Sequence, residues 1–152
     1  MKSQGKKGIR VLTGSILANT YQGSENHIQL FDGRFTTGYR IVDFKIAAEY
    51  PLNAGEWISK ISTEPKSTIA QWIWSDVQEI AWAKYDQAVL FTGTQMSVIR
   101  PDNMAVEDLW ISAYSTSESG NLNYEITLEK YEFPAWTGAG VLVENLSQAG
   151  PQ

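Results

Sequence analysis

The chain has 152 residues, 43% hydrophobic and 19% charged, a composition that supports one folded domain and excludes a disordered polymer. It has no cysteine, which removes disulfides, thiolate–zinc sites, iron–sulfur clusters and thiol nucleophiles together. The net charge is −5, but Lys2, Lys6, Lys7 and Arg10 concentrate basic charge in the first ten residues, leaving an acidic body that is a poor partner for phosphate.

Residues 1–8 read as a flexible basic N-terminal arm, the one part of the chain that could touch nucleic acid; a solvated terminus is the plainer expectation. No signal-peptide core follows, because Arg10, Thr13, Gly14 and Ser15 interrupt the apolar residues of 9–18. No run reaches the roughly 18 apolar residues of a membrane helix, so synthesis in the cytoplasm of a host cell and no membrane partner are expected. Residues 9–20 alternate loosely, with Gly14 as a bulge or twist point. A short strand is expected at 27–31, then a turn at Asp32-Gly33. Residues 38–50 form a long strand pattern, with Arg40, Val42, Phe44, Ile46 and Ala48 on one face and Tyr39, Ile41, Asp43 and Lys45 on the other.

Further strands are expected at 57–63 and 68–74, the second carrying Trp72 and Trp74 on one face. Residues 75–85 are ambiguous. Ser75-Asp76-Val77-Gln78 fits a capping box, and Val77, Ile80, Ala81 and Lys84 recur at helical spacing, while Ile80, Trp82 and Lys84 also alternate. One short helix is expected there, because caps are the more specific signal. A hairpin about Gly93-Thr94 joins 88–92 to 95–100, and a strand covers 107–115. The most regular stretch is 122–131, where Leu122, Tyr124, Ile126 and Leu128 alternate with polar residues as in a half-buried strand. After Pro134 the chain becomes Gly-rich, with an apolar burst at Val141, Leu142 and Val143.

Eight or nine short strands separated by turn residues predict an all-β fold: an antiparallel β-sandwich, jelly-roll-like, with at most one short helix. The predicted organisation is an arm at 1–8, a sandwich at 9–134 and an extended C-terminal arm at 135–152. His27 is the only histidine, so any Ser–His–Asp triad or histidine-ligated metal would need it; a surface or strand-edge role is the stronger reading. Asp102, Glu107 and Asp108 lack calcium-loop spacing and read as turn and surface residues. Asn145-Leu146-Ser147 matches a glycosylation acceptor, which has meaning only in a secreted eukaryotic protein, and with no signal peptide visible it is expected to be a chance match. With 17 acids, some pair suited to glycoside hydrolysis always exists, so that signal is empty. No catalytic residue, cofactor or metal is predicted, and an enzyme ranks last. The six tryptophans carry more information. They belong first to the core or a subunit interface, and second to an exposed sugar platform at Trp72 and Trp74.

The stretches Phe31-Asp32-Gly33-Arg34-Phe35-Thr36-Thr37-Gly38-Tyr39, Arg100-Pro101-Asp102-Asn103-Met104-Ala105-Val106-Glu107-Asp108-Leu109 and Asn123-Tyr124-Glu125-Ile126-Thr127-Leu128-Glu129-Lys130-Tyr131 resemble small uncharacterised virion proteins of environmental, marine-type phages. The resemblance runs along most of the chain without a catalytic motif. It implies a virion structural protein, a capsid or tail component assembled with copies of itself and other virion proteins. Trp136, Val141, Leu142 and Val143 are then expected at a subunit interface. The alternative is a carbohydrate-binding or host-attachment module of a virion.

Overall fold

Eight strands and no helix make up the described part of the chain. The computed structural model describes residues 5–18, 24–30, 36–51, 54–66, 69–87, 94–105, 108–116 and 120–132. In chain order the strands are β1 (Gly5–Ala18), β2 (Ser24–Ile28), β3 (Thr37–Ala48), β4 (Gly55–Ser62), β5 (Glu79–Gln87), β6 (Thr94–Ile99), β7 (Leu109–Ser115) and β8 (Gly120–Glu132). They form two antiparallel sheets, one of order β1-β8-β3 and one of order β2-β7-β4-β5-β6. The two sheets pack face to face as a β-sandwich.

Alternation decides which side chains meet. In the three-stranded sheet, Ile16, Leu122 and Ala48 lie in one cross-strand row, and Leu12, Ile126 and Phe44 in another. Apart from the half-buried Leu12, these side chains are buried. Leu109, Ile111, Ile61 and Ala81 face them from the five-stranded sheet and are also buried. Its central row of Ala113, Ser59 and Ala83 is small, which leaves room for the larger residues of the opposite sheet. Each fully buried Leu, Ile or Phe contributes on the order of 1.5–3 kcal/mol relative to exposure.

The expected faces of β3 change phase midway. Ile41 pairs with Leu128 and Asp43 with Thr127, so Val42 is the extra residue of a β-bulge. The bulge turns Tyr39 and Ile41 inward beside Phe44, Ile46 and Ala48 and leaves Val42 exposed. The distortion is bridged by Asn103. Its Oδ1 accepts from the Ile41 N–H at 2.8 Å and its Nδ2 donates to the Ile41 carbonyl at 3.1 Å. Two residues on, Ala105 exchanges backbone hydrogen bonds with Tyr39 at 2.8 and 2.9 Å. The chain after β6 thus covers the start of the β3 edge.

Three expectations are corrected. The helix at 75–85 is absent. Asp76 does act as a cap, with Oδ1 accepting from the Gln78 N–H at 3.0 Å, but it caps a turn that delivers the chain into β5. β5 is buried on both faces, so its sequence is nearly continuous in apolar residues and imitates helical spacing. The strand at 68–74 is a loop over its described residues, 69–74. The arm at 1–8 overlaps β1, whose Gly5 pairs with Glu132. Residues 1–4 and 135–152 lie outside the described residues.

Candidate functional site

The most elaborate chemistry lies on the outer face of the five-stranded sheet, where the chain between β4 and β5 crosses the strands. Lys60 projects from the middle of β4 with Ser112 and Trp82 as its cross-strand neighbours. It is buried with Glu79, at 1% and 0% side-chain exposure, and the two pair at 3.0 Å. A buried pair needs its remaining hydrogen-bonding capacity filled. Lys60 Nζ also donates to the Gln71 carbonyl at 2.8 Å. Glu79 Oε1 accepts from the Ile73 N–H at 2.9 Å and from Trp82 Nε1 at 3.0 Å. Both charges therefore hold backbone of the crossing loop against the sheet.

Other cations fasten the same loop. Arg100 donates through Nη2 to the Trp74 and Asp76 carbonyls at 2.9 and 3.2 Å, and its guanidinium lies 5.5 Å from the Trp82 ring centre. Lys66 pairs with Asp76 at 2.8 Å and bonds Gln78 Oε1, while its N–H donates to Glu25 of β2 at 2.9 Å.

Beside this strapped loop the face opens into a cleft of about 420 Å3. Tyr114, Ile58 and Lys84 form its floor as one cross-strand row over β7, β4 and β5. Glu56 and Thr116 lie at one end, and Ala70 and Trp72 form the wall contributed by the loop. Trp72 Nε1 is shielded from solvent and has no hydrogen-bond partner among the described residues. The indole surface left to the cleft is therefore carbon. Lys84 Nζ lies 3.7 Å from Asp86 Oδ2 on the same strand.

Trp72 and Trp74 do not share a strand face, because the segment carrying them is a loop. Trp72 is half-buried and lines the cleft. Trp74 is 56% exposed and tilts against Trp82, with ring centres 5.6 Å apart. The expected interface residues Trp136, Val141, Leu142 and Val143 lie outside the described residues. His27 sits on the edge strand β2, stacked on Trp110 at 4.5 Å and joined to Asp108 at 2.7 Å. Asp108 also accepts from the Leu30 N–H at 3.0 Å, so the group staples the end of β2 to the start of β7. Among the described residues no cluster of three His, Asp or Glu side chains could hold a metal ion.

Sequence reasoning missed Lys60, Glu79 and the cleft floor. A lysine within the apolar run of residues 57–63 was the available signal, because a buried lysine requires an acid. No family model matches the sequence, and no curated protein matches it.

Proposed function

We propose that the protein is a virion structural subunit, a jelly-roll β-sandwich assembled in multiple copies as part of a capsid or tail. The nested strand pairing supports the jelly-roll reading: β1 with β8, β2 with β7 and β4 with β5, with the chain after β6 reaching β3. The sequence resemblance along the chain supports the virion setting.

The observation that carries the assembly reading is the edge of β1. Sheet edges invite pairing, and proteins blunt the ones they do not use. Here β2 and β6 are only five and six residues long, and the β3 edge is covered at Tyr39 and Ile41. β1 runs for 14 residues and ends its sheet with no neighbour on its far side among the described strands. Ile9, Val11 and Leu17 line its outer face at 63%, 53% and 48% exposure.

The occupant we assign to this edge is β1 of a second copy. An antiparallel pair centred on Thr13 sets Ile9 opposite Leu17 of the other copy and Val11 opposite Ser15, on both sides of the two-fold axis. The strand is thus self-complementary, as an isologous contact requires. Residues 135–152, with Trp136, Val141, Leu142 and Val143, are assigned to a second contact.

Light scattering and native mass spectrometry of the purified full chain test this reading. Dimers or larger species are expected. In a chain lacking residues 135–152, Val11→Lys should reduce the dimer to monomer with an unchanged far-ultraviolet spectrum, since a charge on an exposed edge opposes pairing. Deleting residues 135–152 should block assembly beyond the dimer while the sandwich stays folded. A wild-type chain that stays monomeric both alone and with its co-purified virion proteins would refute the proposal.

A further inference from the structure

The cleft on the outer face has a chemistry that selects among ligands. Its volume, about 420 Å3, falls within the range of small-ligand sites. Its carbon surface comes from Trp72, Tyr114, Ile58 and Ala70. Its charged groups are one carboxylate, Glu56, and one ammonium, Lys84, on neighbouring strands. A wholly apolar ligand would strip water from both charges and return no hydrogen bond. A phosphate or other polyanion would meet Glu56 and Asp86 with only Lys84 in its favour. A neutral polyhydroxyl compound with one carbon-rich face satisfies every group present. Its C–H face lies on the aromatic carbon, and its hydroxyls donate to Glu56 and accept from Lys84.

The site is also held in shape before any ligand arrives. Its floor spans three adjacent strands, and its loop wall is fixed by the buried pair of Lys60 and Glu79 through the Gln71 carbonyl and the Ile73 N–H. A wall that does not have to be ordered on binding costs little to use.

We propose that this cleft binds a neutral saccharide unit, with Trp72 and Tyr114 against the sugar ring and Glu56 and Lys84 bonded to its hydroxyls. The site lies on the sheet opposite to β1, so its test is independent of self-assembly.

The full chain is titrated with maltose, cellobiose, lactose and chitobiose, read by saturation-transfer NMR and tryptophan emission. At least one disaccharide should bind and change the emission. Trp72→Ala should weaken that binding by about tenfold or more. Glu56→Gln removes an exposed charge, and Lys84→Met removes a half-exposed one together with its 3.7 Å pairing to Asp86; each should weaken binding several-fold, which keeps the test valid if Trp72→Ala fails to fold. Trp74→Ala should leave the affinity unchanged. The proposal is overturned if none of the four sugars binds at about 10 mM. It is equally overturned if Glu56→Gln and Lys84→Met have no effect, or if Trp74→Ala weakens binding as much as Trp72→Ala.

Discussion

At Asn103 a single side chain does the work of a strand. Its amide satisfies both the N–H and the carbonyl of Ile41 at the β3 bulge, and its Nδ2 also donates to the Arg100 carbonyl at 2.6 Å. Alanine there would leave buried backbone groups unpaired, and we expect a loss of about 1–3 kcal/mol in urea denaturation. Gly14 shows the opposite case, a position defined by what it lacks. A Cβ there would stand 2.6 Å from the Tyr124 hydroxyl oxygen and 2.8 Å from its Cζ, so glycine is the seat for the cross-strand ring. The sequence pattern marks Gly14 as a bulge or twist point but not as a seat for a ring, because the tyrosine that needs the space lies more than a hundred residues away. Burial raises the Tyr124 phenol above its ordinary value of 10.0. The folded state therefore favours the neutral phenol. Its contribution to stability is full below the unfolded value and fades as pH rises through the raised one. Denaturation midpoints should fall as pH rises past the ordinary phenol value of 10.0, and part of that fall should vanish in Tyr124→Phe.

Among elements, the loop between β4 and β5 departs most from what the sequence predicts. Period-two spacing at Trp72 and Trp74 imitates a strand, and the cap at Asp76 imitates a helix start. Both signals are local, whereas the conformation is set by a lysine and a glutamate 19 residues apart that meet under the loop. Removing either partner strands a buried charge. Lys60→Met or Glu79→Leu alone should cost about 3–5 kcal/mol, and the double variant Lys60→Met/Glu79→Leu should recover much of that loss. The near-ultraviolet signal of Trp72, Trp74 and Trp82 should weaken in the single variants, because the loop they report on is released. Non-additivity in this double-mutant cycle would confirm the strap, and simple additivity would contradict it. Where strands pack on one face only, as in β8, alternation reads out the structure directly. Where a strand is covered on both sides, as in β5, it does not.

For the whole molecule, the all-β class and the two-layer core follow from alternation in β3, β4, β7 and β8. The pairing of strands does not, since turn residues say where the chain reverses and not which neighbour it finds. The outer face of β1 was readable as alternation too, but exposure depends on whether another layer covers it. The strand order has one further result. Among the described strands β1 pairs only with β8, although β8 begins about a hundred residues later. Pairings so distant along the chain make folding slow, commonly milliseconds to seconds for sandwiches. On the ribosome, which adds about 5–20 residues per second, β1 must wait several seconds for its partner to emerge. The edge proposed for assembly is itself completed by the β1–β8 pairing, the last to emerge among the described strands. If that edge joins two copies as proposed, the contact has to wait until each subunit has closed its own sheet.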